Sequence, residues 1–411
     1  MSSRFVPPAG PPRMLALAQL TNSIGDGAYY VCSALYFTRI IGLSPTQVGL
    51  GLTLGWAVGS FAGVPLGHLA DRRGPRGTAV LLALATGAAV ALFLMVRSFV
   101  PFLVAACLYT SCQCGLGAAR QALLAGLVEA TARTRTRAYL QATTNAGIAI
   151  GAALGGAALQ FDTRGAYLAA FAVDAVSFLA SALVLLRLPA VPGAPPAPHG
   201  EPALAVLRDK PYAAISALNM IMLLYMPMLS LILPLWIVQW TVAPRWMVGA
   251  LLVLNTVAVV LFQVRVARRV TGLASATRLV RYAGLFLLAA CAVFALSTVG
   301  TSSWLAGLVL VVGAGLQVVG EMLLASGSWE ISFGLAPPDK HGQYQGFFGT
   351  GVSVARMLGP LLLTALIITW GAPGWLVLGG LFVLAAVAMT PAVRWAERTR
   401  QPAEMPLTSG R

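Results

Sequence analysis

Gly67-His68-Leu69-Ala70-Asp71-Arg72-Arg73-Gly74-Pro75-Arg76 is a compact run of charge between two long apolar stretches, 45–70 and 77–97. An α-helix crossing about 30 Å of hydrocarbon needs about 20 apolar residues, and both flanks meet that length. Gly74 permits a turn that a β-carbon would hinder, so the run reads as a short loop between two membrane helices. Working outward, the pattern repeats as 14–41, 99–128, 138–160, 166–187, 211–239, 246–264, 280–299, 303–325, 344–370 and 374–393. Only 9% of the residues are charged and 58% are hydrophobic, whereas a soluble domain carries about a quarter charged. A transmembrane β-barrel would show short alternating segments, and none appear. The fold class is therefore an all-α polytopic membrane protein with twelve transmembrane helices.

The formal charge of +15 invites a nucleic-acid reading, but the basic residues are sorted by side. One set of loops carries Arg72, Arg73, Arg76, Arg133, Arg135, Arg137, Arg265, Arg268, Arg269 and both termini. The opposite loops hold only Arg39, Arg97, Arg164 and Arg245. By the positive-inside rule this bias predicts a multi-pass protein of the cell membrane with both termini cytoplasmic, and no nucleic-acid partner. The leading Met1–Arg13 runs into a segment too long for a signal-peptide core, so no cleavage is expected. All five cysteines lie in apolar stretches and suit neither disulfides nor a metal site.

The stretch Leu188–Lys210 holds six prolines and reads as a semi-rigid tether. It divides the chain into a six-helix half, 1–188, a linker, 189–210, and a second six-helix half with a short tail, 211–411. Gln141, Gly147 and Gly155 recur as Gln345, Gly351 and Gly359, each 204 positions later, on the fifth and eleventh segments. Parallel repeats of this kind are a plan for secondary transporters. Gly51, Gly55, Gly59, Gly63 and Gly67 recur every four residues, as do Gly147, Gly151 and Gly155; small residues at that spacing let helices approach closely and rock against one another.

Ionisable groups near the bilayer centre cost about 2.5–3.5 kcal/mol on insertion scales and are functional candidates. Asp26 lies ~18 Å along its segment at 1.5 Å per residue, on one face with Gln19, Asn22, Tyr30 and Ser33. Gly25 and Gly27 flank it and are expected to loosen the helix. Tyr109, Gln113 and Arg120 form a second stripe, Gln317 and Glu321 a third, and Ser353 and Arg356 share a face; Asp174 stands with few polar neighbours. Low dielectric disfavours the charged form of a carboxylate, which allows proton binding and release. The cavity and proton-coupling candidates are thus Asp26, Asn22, Tyr30, Gln113, Arg120, Asp174, Glu321, Gln317 and Arg356, with Asp26 or Glu321 carrying the proton. Met220, Met222, Met226 and Met228, beside Pro227 and Pro234, suit either an adaptable apolar pocket or, more simply, a lipid-facing helix.

The loop Gly67-x-x-x-Asp71-Arg72-x-Gly74-x-Arg76 resembles the signature between the second and third helices of the major facilitator superfamily, and the likeness extends over essentially the whole chain. The resemblance implies two pseudo-symmetric six-helix halves working by alternating access. Gly147-Ile-Ala-Ile-Gly151-Ala152-Ala-Leu-Gly155-Gly156 is similar to that family's antiporter signature, with Ala152 where a proline is expected. Gly115-Leu-Gly117-Ala118-Ala119 resembles the tail of another family motif, with Ser111 where an arginine is expected. Asp71 sits at the negative end of its own helix, where a carboxylate is unfavourable and needs another partner. The resemblance implies one at the start of the eleventh helix, around 342–346, with Arg72 and Arg76 pairing to acids such as Glu129. The gating loop then comprises Gly67, Asp71, Arg72, Gly74, Arg76 and Glu129.

There is no nucleotide-binding Gly-x-x-x-x-Gly-Lys-Ser/Thr loop. A membrane enzyme is the alternative class, but His68, His199 and His341 sit in unrelated places and form no reactive cluster. A channel has no repeated pore loop here. The expectation is a monomeric secondary transporter without cofactor or metal, exporting a small amphipathic organic compound against protons, with proton-coupled uptake as the alternative.

Overall fold

The structure, a computed structural model, describes residues 7–161, 163–195, 202–298 and 302–400. His199, the middle of the linker and both chain ends lie outside these residues, so the reading of Met1–Arg13 is only partly covered. Long helices follow one another: α1 (Pro11–Leu35), α2 (Pro45–Arg73), α3 (Pro75–Phe93), α4 (Phe99–Leu127), α5 (Ala130–Phe161), α6 (Arg164–Leu186), α7 (Lys210–Trp240), α8 (Met247–Ala267), α9 (Leu273–Leu296), α10 (Ser303–Gly334), α11 (His341–Thr369) and α12 (Ala372–Arg400). Eleven of these are long and apolar enough to cross a bilayer. The other, α1, is diluted by its polar stripe and packs inside the bundle against α5 and α6.

Local sequence sets the boundaries. Ser44 and Gln47 form a capping box with Pro45 in the first turn of α2, satisfying orphan amides at little conformational cost. Gly74 ends that helix at φ +92°, a left-handed region that favours glycine, and Pro75 opens α3. α5 and α9 begin earlier than their apolar runs suggest, at Ala130 and Leu273, and α10 continues to Gly334. A helix satisfies its own backbone in water as well as in lipid, so hydropathy marks only the part facing hydrocarbon. α7 is interrupted at Leu223 and Leu224, just ahead of Pro227, whose missing N–H leaves the Leu223 carbonyl without its usual donor. Its methionines are not lipid-facing: Met222 and Met228 are fully buried and Met226 borders the central cavity.

Two cores result, one built by α1–α6 around Phe37, Phe93, Phe102 and Phe171, the other by α7–α12 around Trp236, Phe294 and Trp375. The glycine stripes explain how closely the helices meet. Gly55 and Gly59 lie against the Ala106 and Thr110 carbonyls of α4, and Thr110 Oγ1 donates to the Gly55 carbonyl at 2.6 Å. Gly147, Gly151 and Gly155 seat α5 on α1 at Ser23, Ile24 and Ala28. Gly25 and Gly27 do not loosen α1. They bring it against Asp174 and Ser177 of α6 and against Ile148 and Gly151 of α5, and the helix is unbroken there. α5 likewise runs without a kink through Ala152. The repeat is visible in the packing, since Gly351 and Gly359 set α11 against Met220 and Pro227 of α7 as Gly147 and Gly155 set α5 against α1.

At the arginine-rich end the halves meet. Asp71 accepts the main-chain N–H groups of Gly342 at 2.6 Å and Gln343 at 2.9 Å, the positive start of α11. A Cβ on Gly67 or on Gly342 would fall on the other's carbonyl. Glu129, by contrast, is exposed and bonds to neither Arg72 nor Arg76. Those arginines reach linker carbonyls instead, Arg72 that of Pro195 at 2.5 Å and Arg76 that of Leu188 at 2.8 Å, because the linker runs directly past the loop. The linker's described parts are therefore docked. The Ala194 N–H donates to the Asp71 carbonyl at 2.7 Å, a 3₁₀ turn covers Ala205–Arg208, and Asp209 holds Tyr344 Oη at 2.8 Å and Arg400 at 2.6 Å.

Two outcomes are expected. Gly151→Ala places a methyl on the Ile24 carbonyl and should lower the melting temperature by the equivalent of about 1–3 kcal/mol of overpacking. Gly156→Ala points into open space and should leave it unchanged or slightly higher. Asp71→Asn sets an amide N–H against one of the two α11 donors, a loss of about 1.5–3 kcal/mol. Pulsed distance measurements between labels at Arg73 and Arg269 should then show the halves parting at this end, and an unchanged distribution would show that the latch does not hold them.

Candidate functional site

A cavity of about 370 Å³ lies between the halves. Of the sequence candidates, Asp26, Tyr30, Gln113, Glu321 and Arg356 border it, together with Ser353. Asn22 and Arg120 stand one layer behind. Asp26 accepts from Asn22 Nδ2 at 2.6 Å and from Gln113 Nε2 at 3.2 Å, and the latter nitrogen also reaches Tyr109 Oη at 3.1 Å. Arg120 spends its donors on Asn22 Oδ1 at 2.9 Å, Gln19 Oε1 at 3.2 Å and Ser181 Oγ at 2.8 Å. It thereby ties α4 to α1 and α6. The polar stripe of α1 is thus partly a packing seam, not a wall of water.

Glu321 mirrors this arrangement in the second half. Asn255 Nδ2 at 2.7 Å and Gln317 Nε2 at 3.3 Å both donate to Oε2, leaving Oε1 without a protein partner among the described residues. Gln317 itself is fully buried and off the cavity wall. Asp174 is a correction to the sequence reading: it is fully buried between α6 and α1, does not reach the cavity, and neither carboxyl oxygen has a hydrogen-bond partner among the described residues.

The cavity contains two cations with no ion pair or hydrogen bond among the described residues. Arg356 of α11 lies over the Trp56 ring of α2 at 5.1 Å, and Arg137 of α5 over Trp329 of α10 at 5.6 Å. Each contact crosses from one half to the other, and such contacts are worth about 0.5–2 kcal/mol. Arg137, Trp56 and Trp329 escaped the sequence reading. Arg137 resembled a topology anchor because α5 begins eight residues before its apolar run, and isolated tryptophans carry no spacing signal. Gln141 and Gln345 were noted only as repeat markers, yet both border the cavity; their equivalence was the available clue.

The bonds joining the halves lie at the arginine-rich end or around the cavity. Besides the Asp71 latch, Thr134 Oγ1 donates to Glu330 at 2.5 Å and Arg268 to Tyr139 Oη at 3.5 Å, while Cys114 meets Ser353 at 3.8 Å. The two halves are thus bonded to each other at that end. No group of three or more His, Cys, Asp or Glu side chains able to hold a metal occurs among the described residues. His341 is buried at the start of α11 and His68 sits in the α2 loop end.

The sequence model of the Major Facilitator Superfamily matches residues 15–330. The structure is similar to the human organic anion transporter MFSD10 (TETRAN), with TM-score 0.72 and 18% identity, over 92% of this chain and 99% of that one. It is also similar to a bacterial homologue of the iron transporter ferroportin in an outward-facing state, with TM-score 0.76 and 14% identity over 94% and 99% of the two chains. The same homologue with soaked iron gives TM-score 0.70 at 15% identity, over 94% and 99%. At such identities the likeness is one of fold. No curated protein sequence matches the chain. A family match over more than three quarters of the chain, on this two-core helical bundle, makes the protein a membrane transporter and not an enzyme: it belongs to the major facilitator superfamily.

Proposed function

We propose that this chain exports a small amphipathic organic compound across the cell membrane in exchange for protons. Its halves, 1–188 and 211–411, alternate access around the central cavity, with the arginine-rich end and both termini in the cytoplasm. One observation carries the reading. Each half presents one carboxylate to the cavity, Asp26 or Glu321, and each is held by side-chain amides with no ion pair. An arginine partner would favour the charged form and exclude the proton. An amide donor holds a carboxylate without cancelling its charge, and Glu321 Oε1, which has no protein partner among the described residues, can take a proton while Asn255 and Gln317 keep their bonds to Oε2. A basic or neutral amphipathic cargo competes with the proton for these oxygens, and competition is what makes the two travel in opposite directions. Trp56, Trp329, Tyr225 and Leu223 supply the apolar part of the wall.

A second reading rests on Arg137 and Arg356. An anionic cargo would bind these guanidinium groups best when Asp26 and Glu321 are protonated, so anion and proton would bind together and move the same way, as in uptake. The similarity to a protein described as an organic anion transporter favours this cargo class.

Reconstitution in vesicles with an imposed proton gradient separates the readings. Under the first, Asp26→Asn and Glu321→Gln each abolish gradient-driven accumulation while exchange of cargo across the vesicle wall persists; unchanged coupling in both variants would remove these carboxylates from the mechanism. Under the second, Arg356→Gln weakens apparent affinity for organic anions by about 10–100-fold, the scale of a lost charged hydrogen bond, and spares cations. A deletion strain that accumulates more of a test compound indicates export, and one that accumulates less indicates uptake.

A further inference from the structure

A second cavity, about 280 Å³, opens on the seam between α5 and α8, away from the central one. Its two ends differ chemically. At the arginine-rich end stand Tyr139, Arg265 and Arg268; deeper in lie Ala142, Ala146 and Leu261. From Tyr139 to Ala146 the helix rises ~10 Å at 1.5 Å per residue, enough for a headgroup at one level and the upper part of an acyl chain below it. No acidic residue borders the groove. Arg265 and Arg268 are exposed and have no ion pair among the described residues. Among the described residues Arg268 makes one side-chain hydrogen bond, to Tyr139 Oη at 3.5 Å, and the guanidinium of Arg265 lies over Phe262 at 5.3 Å. Two guanidinium groups without an ion pair and a phenol thus sit at the end of a membrane-length helix, beside an apolar slot. Guanidinium matches phosphate by paired N–H donors, and basic pockets between membrane helices bind acidic headgroups.

We propose that this groove is a binding site for an anionic phospholipid, whose phosphate engages Arg265 and Arg268 while an acyl chain lies along Ala142, Ala146 and Leu261. Directly beside it, Ala138 and Tyr139 of α5 pack on Val264 and Ala267 of α8, one of the contacts closing the halves at this end. A lipid seated there bridges both halves, so it favours the closed arrangement and makes transport depend on acidic lipid in that leaflet.

The test uses the purified full-length protein in phosphatidylcholine nanodiscs titrated with phosphatidylglycerol, with lipid binding read by native mass spectrometry. Losing two surface contacts of about 1 kcal/mol each, Arg265→Gln with Arg268→Gln should weaken phosphatidylglycerol binding roughly 30-fold. Ala146→Trp, which fills the slot and keeps both arginines, should also weaken it. Arg394→Gln, an exposed arginine on α12, should not. Equal loss in the Arg394 variant and none in the Ala146 variant would mean general attraction to a basic surface and would overturn the proposal. Displacement of the lipid by glycerol phosphate at equal concentration would do so too, since the slot would then contribute nothing.

Discussion

Two main-chain N–H groups at the start of α11 hold one carboxylate, that of Asp71, and the closed end of the molecule depends on it. Asp71 sits at the wrong end of its own helix for a negative charge and at the right end of another's. The interaction is possible only because Gly67 and Gly342 carry no Cβ, so the α2 and α11 backbones come within hydrogen-bonding reach. Each charged bond contributes about 1.5–3 kcal/mol. That is enough to bias a two-state transporter and small enough to be reversed by a bound cargo.

The linker belongs to the same device. Arg72 and Arg76 hold its first part, Val206 N–H meets Gln343 Oε1 at 3.4 Å, and Asp209 gathers Tyr344 and Arg400. Gln343, which engages Asp71 through its N–H, is thus also touched by the linker's other end. The first part of the linker is fixed to the first half and its last part to the second, so the two anchor points flank the latch. The cation–π pairs over Trp56 and Trp329 add a layer at the cavity wall, where the same rocking would expose both arginines to a cargo.

Much of this was legible in the chain. Hydropathy and charge bias gave the helix order, the loop gave the need for a partner to Asp71, and the depth of Asp26, Glu321 and Arg356 gave their place near the cavity. What was not legible has a common cause. Asn22 and Arg120 group with the cavity by periodicity and Asp174 by depth, and neither signal reports which neighbour covers a helix face. α1 covers Asp174 at Gly25, and Arg120 fills the stripe of α1. Glu129 failed for a different reason: Arg72 and Arg76 spend their bonds on the Pro195 and Leu188 carbonyls, in a linker that has no periodic pattern to announce where it docks. Arg137 was hidden because its helix starts in polar sequence.

The packing also shows why carboxylates and arginines fall on different helices. Asp26 is on α1 and Glu321 on α10, each backed by amides within its own half. Arg137 and Arg356 are on α5 and α11, the related helices of the repeat, and each leans on a tryptophan of the other half. The hydrogen-bond donors of the acids therefore lie within one half, while the stacking partners of the arginines lie across the seam. A group bonded within one half moves with that half; a group whose partner lies across the seam loses that partner when the seam opens. The acids and the arginines thus differ in where their partners sit, and a cargo that touches both would link one half to the other.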